Sequence, residues 1–556
     1  MDAPTTIADL LRAHVGNDAV ALRFENQSWT HREVLDAIAM RAAFLLERKP
    51  ADAPFHVGVL FDNTPEMWFA LGACAVSGAT LVGINPTRRG AELARDVQHT
   101  DCMLLLTEQV HHPLLEGTGD VIDTERLFVV DEPAWPEVLA PYAGAALPDV
   151  RIDPATTFML IFTSGTTGAP KAVMMSQGRL CGWGTRLATN FGLSPADVCY
   201  SVMPLFHSNA AVAGFTNIVA SGAVGVLRRR FSASGWLDDV RNYGVTFFNY
   251  VGKPLTYILA TPERPDDAEN PLNFAFGNEA APLDIDRFAQ RFGCIVIDGY
   301  GSTEGGANMS KSADTPRGAL GKPVADDVDV RILDPDTMEE CPRAKFDDTG
   351  RFVNAEAAIG EMVNVKGSGG FEGYYNNDEA NAERMRGGMY WTGDLGYRDE
   401  AGFFYFAGRN SDWLRVDGEN FAAAPVENVL ARHASVVLCA VYAVPAVDVG
   451  DDVMAALHLH QDHTFDASEF VTFLDAQSDL SPKWVPRYVR ITFGLPSTAT
   501  QKVLKRVLRR EHWETDDEVW WRPGRAREFR RLTPDDATEL RARFAERNRD
   551  HLLGRA

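Results

Sequence analysis

Residues 162–171 read Phe162-Thr163-Ser164-Gly165-Thr166-Thr167-Gly168-Ala169-Pro170-Lys171. The apolar run at 158–161 just before them predicts a buried strand. The two glycines allow a tight turn that brings backbone N–H groups close to an anion, and the hydroxyls and Lys171 add further donors. The segment is not a Walker loop, because Ala172 rather than Ser or Thr follows the lysine. We therefore interpret it as a phosphate-binding loop, in preference to a surface loop that is merely rich in turn residues.

The chain around this loop alternates helical and strand-like patterns. Helical spacing covers residues 30–48, and short apolar strand patterns lie at 55–61, 103–107 and 127–130. This alternation predicts an α/β fold with substantial parallel sheet. We expect a large N-terminal domain of mixed sheets and helices at 1–408, a small mobile α+β domain at 409–510, and an Arg-rich extension at 511–556.

Composition narrows the class of protein. A net charge of −23 over 556 residues argues against nucleic-acid binding, because an acidic surface repels phosphates. The seven cysteines are scattered without a CxxC pair, which favours a reducing compartment over a disulfide framework or a thiolate zinc site. The N-terminus lacks the basic start and apolar run of a signal peptide, so we expect a cytoplasmic protein. The uncharged stretch at 67–84 reads as a buried helix and a short strand rather than a membrane span, since small residues dominate it.

The phosphate loop resembles that of the adenylate-forming superfamily, which includes acyl-CoA synthetases, peptide-synthetase adenylation domains and firefly luciferases. Two positions depart from the usual pattern: Ala172 stands where Gly is common, and Gln177 stands where His is common. Further segments resemble the motifs of this superfamily in the same order, over roughly residues 20–510. The resemblance implies an enzyme that uses ATP, Mg²⁺ and an acyl acceptor such as coenzyme A.

Two of these segments carry the implied catalytic residues. Residues 298–304 read Asp298-Gly299-Tyr300-Gly301-Ser302-Thr303-Glu304 and resemble the YGxTE motif. There Tyr300 offers a flat face for adenine, Thr303 a hydroxyl for the α-phosphate, and Glu304 a hard oxygen ligand for Mg²⁺. Residues 204–208 read Pro204-Leu205-Phe206-His207-Ser208 and resemble the motif that closes over the substrate carboxylate, which implies a role for His207.

Other segments are similar to the nucleotide-binding motifs. Residues 277–282 resemble the segment that lines the adenine, Tyr390-Trp391-Thr392-Gly393-Asp394 resembles the ribose-binding motif, and Gly408-Arg409 resembles the interdomain pair. The resemblance implies that the following residues bind ATP: Thr163, Ser164, Gly165, Thr166, Thr167, Gly168, Lys171, Gly277, Asn278, Glu279, Tyr300, Asp394 and Arg409.

The C-terminal motif supplies a lysine. Residues 498–502 read Thr498-Ala499-Thr500-Gln501-Lys502, which resembles a TxxGK motif with Gln501 in place of glycine. Lys502 aligns with the lysine that enters the site for adenylation, and we expect the competing Lys505 to be solvated. By the same resemblance Ser411 is the hinge, although Asp or Lys is more usual there. Arg415 and Gly418 would belong to the face that receives the pantetheine arm of CoA.

The implied reaction has two steps. A carboxylic acid and ATP form an acyl-adenylate with release of pyrophosphate, and CoA then displaces AMP to give a thioester. Asn249-Tyr250-Val251-Gly252 and Gly418-Glu419-Asn420 resemble the very-long-chain acyl-CoA synthetase and fatty acid transport branch. This favours a hydrophobic acid, either a long-chain fatty acid or a sterol side-chain acid.

Several alternatives stay open at this point. The chain could load a carrier protein instead of CoA, or be a membrane-associated lipid uptake or binding protein with weak catalysis. A peptide-synthetase-like domain is disfavoured because no Asp is evident to grip an amino group. Peripheral membrane contact and a homodimer are also open, whereas the helical pattern at 534–548 favours a solvated terminal helix. The histidines His458, His460 and His463 are interpreted as surface residues, since no carboxylate or cysteine cluster accompanies them.

Overall fold

The computed structural model describes residues 3–116, 121–163, 170–312, 314–323, 328–348, 352–409, 413–416, 419–448, 450–498, 502–524 and 526–553, without the side chains of Arg409, Trp413, Glu419 and Asn420. Contacts divide the chain into two compact units: unit 1 is Met1–Gly305 with Gly370–Glu383, and unit 2 is Gly306–Gly369 with Arg384–Ala556. This division differs from the predicted boundary at 408/409. That boundary, which concerns a hinge, stays a prediction.

Helices occur throughout both units. In chain order they are α1 (Ile7–Arg12), α2 (His31–Glu47), α3 (Pro65–Ser77), α4 (Gly90–His99), α5 (Ala134–Leu139), α6 (Gln177–Phe191), α7 (Ser208–Ala210), α8 (Asn217–Ser221), α9 (Ala233–Tyr243), α10 (Pro254–Leu259), α11 (Pro282–Phe292), α12 (Ala355–Ala358), α13 (Asp378–Arg384), α14 (Ala423–Leu430), α15 (Ala467–Asp475), α16 (Lys505–Glu511) and α17 (Pro534–Glu546). A π-helical turn, Ala211–Thr216, joins α7 to α8.

Strands form the sheets of both units. In chain order they are β1 (Val20–Phe24), β2 (Gln27–Thr30), β3 (His56–Leu60), β4 (Thr80–Gly83), β5 (Leu104–Thr107), β6 (Leu127–Val129), β7 (Thr157–Thr163), β8 (Lys171–Ser176), β9 (Val198–Ser201), β10 (Val224–Leu227), β11 (Phe247–Val251), β12 (Phe274–Asn278), β13 (Ile295–Gly299), β14 (Met309–Ser310), β15 (Lys322–Pro323), β16 (Val330–Leu333), β17 (Gly360–Asn364), β18 (Met385–Arg386), β19 (Met389–Arg398), β20 (Phe404–Arg409), β21 (Trp413–Val416), β22 (Glu419–Ala422), β23 (Val436–Pro445), β24 (Asp451–Leu459), β25 (Tyr488–Ile491), β26 (Glu518–Trp521) and β27 (Arg530–Arg531).

Unit 1 contains two mainly parallel sheets. One has seven strands in the order β13-β12-β11-β9-β10-β1-β2, and the other has six in the order β6-β5-β3-β4-β7-β8. Only the pairs β1–β2 and β7–β8 are antiparallel. Strands such as β3 are buried along their whole length, as expected when helices cover both faces of a parallel sheet. The predicted α/β fold with substantial parallel sheet is therefore confirmed.

Local sequence signals explain where the helices begin and end. The Thr30 side chain accepts a hydrogen bond from the Glu33 N–H and the Glu33 carboxylate accepts from the Thr30 N–H, which is a capping box at the start of α2. Helix α3 begins at Pro65 and ends before Gly78, whose φ of 75° suits a residue without a Cβ. The uncharged stretch at 67–84 thus forms α3 and β4 in the core. None of the helices in the described ranges is both long enough and apolar enough to cross a membrane.

Unit 2 is built from smaller, mainly antiparallel sheets, in which β24 and β25 form a parallel pair. Strands β16-β17-β19-β18 form one sheet that β20 joins through β19, and β21 pairs with β22. A five-stranded sheet has the order β23-β24-β25-β26-β27, so strands of the predicted C-terminal extension continue this sheet. Helix α14 packs on it through Val426 and Leu430, which are fully buried.

The terminal helix is not simply solvated. Leu540 and Phe544 of α17 are buried, and the Phe544 ring lies 5.6 Å from that of Trp513. The Arg-rich segment also carries its own counter-charges, because several arginines form ion pairs with carboxylates. These pairs are Arg530–Asp536, Arg541–Glu514 and Arg547–Asp448. The expectation of a solvated helix was wrong because Leu540 and Phe544, four residues apart on one face of α17, are buried.

Candidate active site

The strands that flank the phosphate loop are paired in register. Strand β7 ends at Thr163, β8 begins at Lys171, and these two residues face each other in the antiparallel ladder. The loop therefore leaves and re-enters the sheet at one point, as a strand–turn–strand arrangement requires. The predicted ATP-binding residues between the strands, namely Ser164, Gly165, Thr166, Thr167 and Gly168, lie outside the described residues.

Lys171 is held by protein groups rather than extended into solvent. Its Nζ lies 2.8 Å from Glu383 Oε2, and it lies 5.8 Å from the centre of the Tyr374 ring. Its side chain is 15% exposed. The sequence predicted a donor for an anion at Lys171, and the structure shows its charge already neutralised by a carboxylate from α13. A nucleotide phosphate would have to compete with Glu383 for this ammonium group.

The side chains of Thr303 and Glu304 contact two neighbouring segments, the start of α7 and the segment around Tyr374. The Thr303 Oγ1 lies 2.9 Å from Ser208 Oγ at the start of α7. The Tyr374 hydroxyl donates a hydrogen bond of 2.9 Å to Glu304 Oε1, and the Glu304 side chain is buried. Because Tyr374 occupies one carboxylate oxygen, the other is oriented for a different partner. A carboxylate oxygen beside a threonine hydroxyl is a donor set that suits Mg²⁺ bound together with phosphate oxygens.

Arg179 on α6 clamps the backbone of this motif, and the sequence analysis missed it. Its Nη2 donates hydrogen bonds of 2.7 Å to the carbonyl oxygens of both Thr303 and Glu304. Its side chain is only 6% exposed, and its guanidinium lies 4.4 Å from the Trp183 ring centre. A Cβ on Gly305 would lie 2.5 Å from this guanidinium, so glycine is required there. An arginine within the first turn of the helix after the phosphate loop was the available signal.

The loop that carries His207 is positioned by Asn63. The Asn63 Nδ2 donates to the Met203 carbonyl at 2.8 Å, and its Oδ1 accepts from the Leu205 N–H at 2.9 Å. His207 directly precedes α7 without a side-chain capping hydrogen bond, and its ring lies 4.5 Å from that of Phe206. The Asp62-Asn63-Thr64 run before Pro65 is of a type that commonly caps helices. The Asn63 side chain instead hydrogen-bonds the distant loop at 203–205. The Thr64 side chain makes no capping hydrogen bond.

A charged cluster next to Asn63 is held together by arginines. Asp62, Glu108 and His111 form the one group within the described ranges whose ligand atoms are close enough to hold a metal ion. However, Arg229 lies 2.7 Å from Glu108, and Arg230 lies 3.3 Å from Asp62. Burial would raise the pKa of Asp62, but the hydrogen bond and charge of His111 and the two guanidiniums lower it below its ordinary value. The arginines already supply the positive charge, so the cluster is a structural ion network.

The ends of β11, β12 and β13 bring the next set of residues together. A Cβ on Gly277 would lie 2.3 Å from the Tyr250 carbonyl oxygen, which explains the glycine before Asn278. Asp298 accepts hydrogen bonds of 3.0 Å from the Tyr250 hydroxyl and from the Ala280 N–H. Burial, and then the charge of Asp298 and its hydrogen bond, raise the pKa of Tyr250 well above its ordinary value. Asp298 thus ties the adenine-type segment to the strand that leads into Tyr300.

Glu279 follows directly after β12 in a strained conformation. Its φ is 68°, in a region that residues with a Cβ rarely adopt. Such backbone strain persists where surrounding contacts enforce it, commonly at functional sites. The segment predicted to line the adenine therefore has a fixed, unusual turn.

In unit 2 the predicted ribose-binding residues lie on paired strands. Asp394 on β19 faces Arg409 on β20 in the antiparallel register, although the Arg409 side chain lies outside the described part of the chain. The Gly393 N–H donates to Glu361 Oε1 at 2.6 Å, and Glu361 is 3% exposed. Glu361, which sequence reasoning also missed, therefore fixes the turn that presents Asp394.

The two ends of the lysine motif, Thr498 and Lys502, are hydrogen-bonded to each other in the same unit. The Thr498 N–H donates to the Lys502 carbonyl at 2.8 Å, and the Lys502 N–H donates to Thr498 Oγ1 at 3.1 Å. Gln501 lies outside the described residues. The expectation that Lys505 is solvated was wrong: its Nζ lies 2.8 Å from Glu427 Oε1 and its side chain is 17% exposed. A carboxylate from α14 therefore neutralises its charge.

Of the predicted hinge and CoA-facing residues, only Arg415 lies within the described part of the chain. Ser411 and Gly418 lie outside the described residues. Arg415 lies on β21, and its N–H donates to Asp451 Oδ2 at 2.8 Å.

His458 hydrogen-bonds the Thr492 carbonyl at 3.2 Å, as a structural histidine would.

Comparisons with known proteins agree with this geometry. A family model described as AMP-binding enzyme matches residues 11–375, and one described as AMP-binding enzyme C-terminal domain matches residues 425–502. The steroid-22-oyl-CoA synthetase of Rhodococcus jostii is 47% identical over 99% of this chain and 99% of its own. The medium/long-chain-fatty-acid CoA ligase FadD17 of Mycobacterium tuberculosis is 48% identical over 93% of this chain and 98% of its own.

Solved structures show the same fold. The anthranilate CoA ligase AuaEII in complex with anthranoyl-AMP has a TM-score of 0.78 at 22% identity, covering 91% of this chain and 98% of that one. ATP-bound MatB from Rhodopseudomonas palustris has a TM-score of 0.77 at 22% identity, over 91% of this chain and 98% of that one. The predicted resemblance is confirmed: the chain belongs to the AMP-binding enzyme family, as one of its acyl-CoA synthetases.

Proposed function

We propose that the protein joins a hydrophobic carboxylic acid to coenzyme A, with consumption of ATP and release of AMP and pyrophosphate. The observation that carries the proposal is the fixed Thr303–Glu304 pair, which contacts Ser208, Tyr374 and Arg179. Rigid, oriented oxygen and hydroxyl groups of this kind can bind a nucleotide phosphate group without rearranging during the reaction.

In the first step, a carboxylate oxygen of the acid attacks the α-phosphorus of ATP, and the bond to pyrophosphate breaks. The Thr303 hydroxyl would bind the α-phosphate, and Lys502 would bind carboxylate and phosphate oxygens as charge moves between them. In the second step, the CoA sulfur attacks the acyl carbon and AMP leaves. No nucleophile from the protein is needed, so the residues act by positioning and by stabilising charge.

Glu304 is the residue that would hold Mg²⁺. One of its carboxylate oxygens accepts from Tyr374, and the other would be a ligand beside the phosphates. When bound, the ion neutralises phosphate charge. The contribution of the chain is to keep Glu304 buried and correctly oriented.

The named relatives support the choice of acid. Two proteins nearly half identical over more than nine-tenths of the chain are named for a steroid-22-oyl and for medium- and long-chain fatty acyl substrates. We expect this enzyme to use an acid of the same hydrophobic class. All seven cysteines are free thiols, which agrees with action in the reducing cytoplasm.

Thioester formation by the purified protein tests the proposal. ATP, Mg²⁺ and CoA would be supplied with acids from short-chain to very-long-chain, and with steroid side-chain acids. We expect acyl-CoA from hydrophobic acids and little from acetate or benzoate. Adenylate without thioester would identify a carrier-protein acceptor instead, and the absence of AMP release with every acid would support a lipid-binding protein.

A further inference from the structure

Asn249 on β11 carries a buried acceptor atom that no described residue satisfies. The residue is 1% exposed, and its Oδ1 has no hydrogen-bond partner within the described part of the chain. A buried acceptor without a donor costs free energy, so such an atom in a native site calls for a partner. The position is therefore a candidate contact for a bound molecule.

A chain of hydrogen bonds fixes which amide atom is left over. The Asn209 Nδ2 donates to the Tyr250 carbonyl oxygen at 3.4 Å, and a carbonyl can only accept. The Asn209 Oδ1 must therefore face the other way, where it accepts from the Asn249 Nδ2 at 2.8 Å. The orientation of both amides follows from the backbone carbonyl, and the remaining atom of Asn249 is its oxygen.

The location of this oxygen points to the acyl group rather than to the nucleotide. Asn209 follows Ser208, which contacts Thr303, so Asn249 faces the helix that borders the reaction centre. In the sheet, Asn249 is aligned with Phe276, which lies two residues before Asn278 at the end of β12. Nucleotides bind at the carboxyl ends of parallel strands, and Asn249 lies behind that edge.

The residue aligned with Asn249 on β12 belongs to an aromatic cluster. Its register neighbour Phe276 lies 5.4 Å from the ring of Phe191 and 6.4 Å from that of Phe247. On the side of α7, the π-helical turn Ala211–Thr216 contributes mainly small and apolar residues. A hydrophobic acid fits such surroundings, and a single acceptor among them can distinguish one oxygenated position on it.

We propose that Asn249 Oδ1 accepts a hydrogen bond from a hydroxyl group on the acyl part of the acid, so that the enzyme prefers hydroxylated hydrophobic acids over their unsubstituted parents. This inference rests on the proposed ligase function and adds a substrate class to it. Sites built to bind a hydroxyl reject the analogue that lacks one, because the buried protein group is then left unpaired.

The test compares kcat/KM for pairs of acids that differ by one hydroxyl. The probes are hexadecanoic acid with monohydroxyhexadecanoic acids substituted at successive positions, and a steroid side-chain acid with and without each ring hydroxyl. We expect at least one hydroxylated acid to exceed its parent by about tenfold, the value of one hydrogen bond. In Asn249→Leu, which is similar in size, we expect that preference to fall to within about twofold.

Asn217→Leu is the matched control. Asn217 on α8 is also fully buried, with an amide that has no partner within the described ranges, and its replacement should leave the preference unchanged. A hydroxyl preference that survives Asn249→Leu would overturn the proposal. So would a wild-type enzyme that uses no hydroxylated acid better than its parent, and this comparison needs no variant to fold. If no acid of either kind gives thioester, the ligase function itself fails, which is a different result.

Discussion

At the scale of single residues, the site depends on side chains that never need to touch substrate. Arg179 holds two consecutive carbonyl oxygens of the Thr303–Glu304 motif, and Glu361 holds the N–H before Asp394. Such groups fix the orientation of the residues that we propose to bind ATP, and their loss typically lowers activity without removing a substrate contact.

Replacement of Arg179 tests this idea directly. We expect Arg179→Met to lower kcat for thioester formation by about 10- to 100-fold, because Thr303 and Glu304 lose their backbone support. Arg179→Lys should recover little, since an ammonium group cannot donate to both carbonyls with the geometry of a guanidinium.

Arg186→Met is the matched control for this measurement. Arg186 is exposed on the same helix, so its replacement should leave kcat near the wild-type value. If the Arg179 and Arg186 variants had equal activity, Arg179 would have no positioning role.

At the scale of elements, close approach between strands fixes the shape of the site. In Gly277→Ala the new methyl group would meet the Tyr250 carbonyl and ring on the neighbouring strand, whereas a Cβ on Gly299 meets nothing within 4 Å. We expect Gly277→Ala to lower the free energy of unfolding by about 1–3 kcal/mol through overpacking. Gly299→Ala, one strand further along, should change it by less than about 0.5 kcal/mol. Chemical denaturation of both variants checks this, and equal losses would show that the strand spacing is not limiting.

The start of α2 should make stability depend on pH. His31 is buried and stacked on His14 at 4.2 Å, and burial, then the charge of His14, lowers its pKa to about 4. The unfolded chain binds this proton near the ordinary value of about 6.5, so stability is full above that pH and falls as the pH drops toward 4.

Between pH 7 and pH 5 we expect protonation of His31 in the unfolded chain to lower the free energy of unfolding by about 2 kcal/mol. His31→Phe should remove that part of the pH dependence, and a replacement of the exposed His463 should not. Chemical denaturation of the wild type and both variants at pH 7 and pH 5 measures this change in the free energy of unfolding. An unchanged pH dependence in His31→Phe would contradict the assignment.

The sequence predicted regular elements better than contacts between them. Helix α2, strand β3 and the buried α3–β4 segment follow from apolar periodicity and capping residues, which are local signals. The partners of Lys171 and Lys505 could not be predicted, because Glu383 and Glu427 are far from them in sequence. The hydrogen bonds of Asn63 could not be predicted for the same reason, since they run to residues 203 and 205. The site motifs were identified through their resemblance to a family, and their supporting residues needed the fold.

At the scale of the whole molecule, the C-terminal segment is part of unit 2. Strand β26 pairs with β25, and the segment after residue 513 buries several large apolar residues. These are Val519, Trp521, Phe529, Leu540 and Phe544. At about 1.5–3 kcal/mol each, their loss would cost roughly 10 kcal/mol, which is comparable to the total stability of a domain.

We therefore expect a chain that ends at residue 513 to lose the folded state of unit 2 and all thioester formation. Arg527→Ala, which changes an 83% exposed side chain in the same segment, should fold and react normally. Thermal unfolding and limited proteolysis measure whether unit 2 is folded in the truncated chain and in Arg527→Ala. A truncated chain with wild-type stability would show that the segment is a dispensable tail.

The proposed function requires Thr303, Glu304 and Lys502 to catalyse adenylation of the acid. The most direct measurement is acid-dependent exchange of labelled pyrophosphate into ATP, with CoA omitted, in the wild type, Lys502→Ala and Lys505→Ala. We predict exchange only when a hydrophobic acid is present, a loss of about 100-fold or more in Lys502→Ala, and near wild-type exchange in Lys505→Ala. Pyrophosphate exchange that needs no acid would contradict the proposed adenylation of the acid. Exchange that survives in Lys502→Ala and disappears in Lys505→Ala would contradict the proposed role of Lys502.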